Sequence, residues 1–160
     1  VKFSKAKAAV EGKPQHIDIA VPAFGYKNHI SIDQRHGFIR GWSTTSAAAW
    51  DGAQLPVVLD RQNTGSKVWA DTAYRPKKNE DWLERNGFTS DIYRKKPKGR
   101  PMSERTSRAN GPRSSICSKV EHVFARQKGP MGTFIRTIGI ARAEAKIGMV
   151  NLAYNLTRFV

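Results

Sequence analysis

The chain has 160 residues, 39% of them hydrophobic, which suits one domain or one domain with extensions. With 28 Lys plus Arg against 13 Asp plus Glu, its formal net charge of +15 calls for an anionic partner, of which nucleic acid is the usual kind. Cys117 is the only cysteine, which excludes an internal disulfide and argues against a cysteine-based zinc site; no apolar run approaches the roughly 20 residues of a spanning helix.

No charged segment followed by an apolar stretch opens the chain, so no secretory signal is visible and a cytoplasmic location is expected. The chain opens on Val1 rather than methionine, as expected of a fragment. After a Lys- and Ala-rich start, His16 to Val21 alternates and predicts a short strand stopped by Pro22. Phe24 to Asp33 alternates more cleanly: Phe24, Tyr26, Ile30 and Ile32 share one face, and Lys27, His29, Ser31 and Asp33 the other. A turn at 34–37 and a second strand over Phe38 to Thr44 complete a hairpin. Ala47 to Leu59 reads as a helix with Asp51 and Gln54 at N-cap spacing and Leu55, Val58 and Leu59 on its apolar face. Pro56 fits only in a first turn.

Lys67 to Asp71 is a short apolar strand, Pro76 to Asn86 a helix with Gly87 just past its end, and Thr89 to Lys95 another strand. Between Arg94 and Arg113 lie Arg94, Lys95, Lys96, Lys98, Arg100, Arg105, Arg108 and Arg113 against the single acid Glu104. Interrupted by prolines and glycines, this stretch predicts a basic loop or mobile arm. Two helices follow, over about 115–128 and 141–159. The second carries Ala145, Met149, Leu152, Ala153, Leu156 and Phe159 on one face. The order indicates a mixed α/β domain with helices packed on a sheet.

Two carboxylates are candidates for chemistry. Asp71 ends an apolar strand, where α/β proteins place ligands and where a carboxylate can hold a hard cation. Spacing alone favours a cap or turn former there. Glu121 lies on the shoulder of a helix whose apolar stripe is Ile116, Val120, Val123 and Phe124. A Ser118–Glu121 capping box and a plain solvated glutamate are the alternatives. Tyr74 and Arg75 could serve a site or simply pack and solvate. Lys128 could contact phosphate or favour a helix C-terminus. His122 has no second histidine at ligand spacing. Asp51 reads as a cap, and Asp18 and Asp33 as solvent-facing strand residues.

Four blocks in order resemble the DDE transposases of bacterial insertion sequences, in the large family numbered five: FGYKNHISID (Phe24–Asp33), WADTAYR (Trp69–Arg75), VEHVFARQKG (Val120–Gly129) and NLAYNLTRF (Asn151–Phe159). The resemblance spans about Gln15 to Arg158. It implies a ribonuclease H-like fold, a mixed sheet with flanking helices, and three carboxylates holding two Mg²⁺ or Mn²⁺ ions. It implies that Asp71 and Glu121 are metal ligands, with Lys128, seven residues after Glu121, joining them in catalysis. DNA, as transposon ends and target, is the implied partner, with a homodimer in a synaptic complex and no membrane. The DNA contacts expected are Arg75, Lys95, Lys96, Lys98, Arg100, Arg126 and Lys128.

Two departures stand beside the resemblance. Ser114 and Cys117 occupy positions where the family usually has tyrosine and arginine. The family's first catalytic aspartate lies upstream of the segment matching the start of this chain, and Asp18 and Asp33 fall in the wrong segment to replace it. The expectation is therefore the C-terminal part of a catalytic domain over residues 1–160, incomplete at its N-terminus and inactive alone. A non-catalytic nucleic-acid-binding protein and a degenerate transposase remnant are the other readings. Divalent-metal binding through Asp71 and Glu121 separates the enzyme from the binding module.

Overall fold

The computed structural model describes residues 24–159. The strand expected at His16–Val21, and Asp18 with it, lie outside the described residues. The fold is mixed α/β. Strands β1 (Tyr26–Ile32) and β2 (Ile39–Ser46) form an antiparallel hairpin, and β3 (Lys67–Val68) pairs in parallel with β4 (Thr89–Ser90). Between them lie α1 (Leu55–Val58) and α2 (Lys77–Arg85), and α3 (Glu104–Lys128) and α4 (Ile140–Phe159) follow. The single mixed sheet that was expected is, among the described residues, two separate two-stranded sheets.

The hairpin is where expected, but neither face of β1 is left to water. On one side Ile30 and Ile32 pack against Ile39, Val123 and Tyr154. On the other, Lys27 bonds Asp51 at 2.8 Å, His29 bonds the Thr45 hydroxyl at 2.8 Å, and Ser31 donates to the Val58 carbonyl at 2.5 Å. Lys27 and Ser31 are thus satisfied by the 3₁₀ turn and by α1, and His29 by the neighbouring strand β2. Asp33 closes the hairpin by accepting from the backbone N–H groups of His36 and Phe38. Burial pushes its carboxyl up, but these bonds outweigh that and hold it below the usual range. In β2, Gly41 lies opposite Ser31 and Ile39 opposite Ile32, so Arg40 is the extra residue of a bulge. The Asn155 side chain clamps the bulge, accepting from the Ile39 N–H (2.8 Å) and donating to its carbonyl (2.9 Å).

The helix expected over 47–59 shortens to a 3₁₀ turn, Asp51–Gln54, running into α1, with Pro56 in the first turn of α1. Asp51 caps nothing with its side chain; Lys27 takes it instead. Helix α2 forms as expected, with Gly87 at φ 73° just past its end. Leu83 and Phe88 close a core with Leu55, Val68 and Ile92.

The basic stretch is only half a loop. Ser103 caps α3 by accepting from the Thr106 N–H, and the helix runs unbroken from Glu104 through Pro112 to Lys128. Pro112 removes one helix hydrogen bond but does not end the helix. Glu121 therefore sits mid-helix, which rules out the Ser118 capping box. In α4 the expected face is inverted. Ala143, Ile147, Asn151 and Tyr154 are buried, whereas Met149, Leu152, Leu156 and Phe159 are 61–84% exposed. Helix α4 is apolar on nearly all sides, so hydrogen bonds choose its orientation: Asn151 meets Asn28 and Gln127, and Asn155 meets Ile39.

His29 is 5% exposed, and burial, with help from the Lys27 charge and against that of Asp51, pushes its pKa below the ordinary value. The unfolded chain then binds more protons than the folded one just below pH ~6.5. Stability is complete above that pH and is lost as pH falls through it towards the lowered folded value. Urea midpoints at pH 7.5 and 5.5 should show this drop, and His29→Gln should remove part of it.

Candidate active site

A cleft of about 940 Å³ runs between the two sheets, floored by α3. Every residue from Tyr26 to Asp33 and from Ser66 to Asp71 lines it. Alternate residues of a strand point to opposite faces. Consecutive lining therefore means that the cleft meets β1 and β3 along their edges, where, among the described residues, each two-stranded sheet leaves one edge unpaired. Ile116, Val120 and Phe124, the apolar stripe read on α3, also face this space.

Asp71, Glu121 and Lys128 all line the cleft. They reach this cleft from β3's C-terminal side, mid-α3 and the last turn of α3. Asp71 plays its local part as well: its Oδ1 accepts from the Ala73 N–H at 2.8 Å and caps the turn Thr72–Tyr74. The cap reading and the site reading of Asp71 are compatible, because this bond occupies one carboxylate oxygen only. Burial, with the nearby charges of Asp51 and Asp71, pushes the Tyr74 phenol up to about 12. Tyr74 consequently stays a hydrogen-bond donor at any working pH. Cys117, one turn before Glu121, also lines the cleft. Burial and the charge of Asp71 push its thiol up, while a hydrogen bond with Tyr93 opposes them. The thiol therefore gives up its proton less readily than a free cysteine does.

Arg75 is turned to structural use. Its Nη1 donates to the carbonyls of Ile92 (2.7 Å) and Tyr93 (3.3 Å), and its Nε lies 3.8 Å from Glu80. It anchors the chain that leaves β4. Lys95, Lys96, Lys98, Arg100 and Arg126 are exposed and do not line the cleft. Composition does not reveal the amide cluster under the cleft. Asn151 Oδ1 accepts from Asn28 (2.9 Å) and from Gln127 (2.9 Å), tying β1, α3 and α4 together beside Lys128. The only sequence signal for it is a polar residue in an otherwise apolar helical row.

The carboxylate oxygens of Asp71 and Glu121 suit a hard divalent ion. Among the described residues, however, no group of three His, Cys, Asp or Glu side chains is close enough to hold a metal. Asp51 shares the cleft but is paired with Lys27. No helix among the described residues is long and apolar enough to cross a membrane.

Residues 23–156 match the family model of the transposase DDE domain. The chain is 30% identical over 129 residues to the transposase for insertion sequence element IS1106 of Neisseria meningitidis serogroup B; the match covers 81% of this chain and 42% of that protein. The chain thus spans less than half the length of this curated relative. No solved structure matches.

Proposed function

The chain belongs to the transposase DDE-domain family, and we propose that it forms the part of a DNA strand-cutting and strand-joining domain that presents two metal-binding carboxylates, Asp71 and Glu121. The observation that carries this reading is their convergence, from 50 residues apart in sequence (121 − 71), on one cleft that also holds Lys128. Divalent ions bound there would stabilise charge on the oxygens of a phosphodiester under attack.

The chain's own groups have distinct parts in this proposal. Asp71, on the β3 side of the cleft, and Glu121, on its α3 floor, would hold Mg²⁺ or Mn²⁺. Lys128 supplies a positive charge for the phosphate, and Tyr74 a neutral donor. Arg75 positions the wall by fixing the carbonyls of residues 92 and 93. Two carboxylates alone leave such an ion mostly hydrated and weakly bound, so a third ligand is needed for full activity.

The shape of the cleft supports a ribonuclease H-like arrangement. A strand lying between the unpaired edges of β1 and β3 would join the two sheets into one and cover the apolar stripe of α3. A carboxylate on that strand would reach the site.

Metal binding tests the reading. Wild-type protein titrated with Mn²⁺ and followed by electron paramagnetic resonance should show a saturable weak site. Asp71→Asn and Glu121→Gln should each weaken it about tenfold or more, since even groups supporting a ligand are worth that much. Identical titrations for all three proteins would leave the carboxylates without a metal-binding role and favour a non-catalytic nucleic-acid-binding module.

A further inference from the structure

We propose that a second anion site, separate from the cleft, lies where the segment after β4 meets the first half of α3, and that it holds a backbone phosphate of duplex DNA. Arg94, Arg105, Thr106 and Arg113 surround a concavity of about 370 Å³ there. One of the three guanidiniums is anchored, and the backbone that carries a second is fixed. The Arg113 guanidinium is held by Asp91 Oδ1, from Nε at 2.9 Å and Nη2 at 2.6 Å. The backbone of Arg94 is fixed by Asn110, whose amide donates to its carbonyl (3.0 Å) and accepts from its N–H (3.3 Å). Arg105 and Arg113 stand two i+4 steps apart on α3.

Three guanidiniums against one carboxylate leave the concavity with an excess of two positive charges. Planar, multi-donor cations suit phosphate oxygens better than ammonium groups do. Anchoring lowers the entropy lost when a ligand is gripped. The site also lies within reach of the cleft along α3. Arg113 and Glu121 are 121 − 113 = 8 residues apart on one helix, about 12 Å at ~1.5 Å per residue. A duplex strand advances ~3.4 Å per nucleotide. A strand running along α3 would then be gripped about three or four nucleotides from the bond presented to the cleft.

This inference rests on the DNA-processing reading above, and the test separates the two. Affinity of the 160-residue chain for a duplex is measured across a salt series. For Arg94→Gln/Arg105→Gln the slope of log affinity against log salt should fall by about one unit, the share of one phosphate. The same charge change on α2, Lys77→Gln/Lys78→Gln, should leave it nearly unaltered. Asp91→Asn, which keeps an acceptor for Arg113 but removes the charge, should tighten binding. If wild-type protein ignores duplex DNA, both readings fall. If it binds but the two double variants lose equally, or if Asp91→Asn weakens binding at an unchanged melting temperature, the arginine site falls and the DNA reading stands. Stronger, arginine-dependent binding to duplex RNA would overturn the assignment to DNA.

Discussion

Asn151→Leu is expected to destabilise the protein by about 3–5 kcal/mol and to lower Tm by roughly 10 °C. Asn151 is 2% exposed and its Oδ1 accepts from two amides at once. Leucine is close in size, so the change opens no large cavity. It strands the Gln127 amide, itself 4% exposed, and removes both side-chain hydrogen bonds of Asn28, which also accepts from the Asn151 amide at 3.3 Å. Each buried group left unpaired costs about 1–3 kcal/mol. Thermal unfolding gives the answer directly. A variant within about 1 kcal/mol of wild type would mean that water or neighbouring groups replace the amide without loss. Because Gln127 adjoins Lys128, the damage should also spread to the cleft.

Gly41→Ala should be at least as disruptive, at about 3 kcal/mol or more. A Cβ at position 41 would lie 2.2 Å from the Val58 carbonyl oxygen and 3.0 Å from its carbon. Both are backbone atoms at the end of α1, so relief requires moving α1 away from β2. That movement pulls Leu55 out of the core it shares with Val68 and Ile92, next to the chain that carries Asp71. Gly111→Ala is the matched control. Nothing lies within 4 Å of a Cβ there, and the residue is helical. It should be neutral or stabilising by up to about 1 kcal/mol. Urea denaturation of the two variants side by side decides the matter; equal stabilities would show that the close crossing of β2 and α1 has slack.

The hairpin, α2 and the mid-helix position of Glu121 were legible because each rests on local signals: alternation, a proline–glycine frame, an apolar period. The start of α3 was less legible. Pro112, Gly111 and the basic residues before them suggest a loop, and only the cap at Ser103 marks a helix. The face of α4 was misread for a different reason. Counting apolar residues picks the row Met149, Leu152, Leu156 and Phe159, whereas the packed row contains Asn151, whose partners are more than 20 residues distant in sequence. Long-range hydrogen bonds leave no periodic trace. At the site, the motif resemblance singled out Asp71, Glu121 and Lys128, and all three line the cleft. The pairing of Asp51 with Lys27 and the commitment of Arg75 to carbonyl oxygens depend on tertiary approach, which spacing does not encode.

The outward row on α4 gives the protein a particular colloidal character. Four large apolar side chains along one helix would favour self-adhesion, and a net charge of +15 opposes it. That repulsion reaches about 10 Å at 0.1 M salt and only about 3 Å at 1 M. The same salt that frees such a chain from a polyanion therefore strips away its defence against sticking to itself. Bound nucleic acid would act as a dispersant only while it leaves the chain with excess charge; near neutralisation the apolar rows would come into play and the complex would condense.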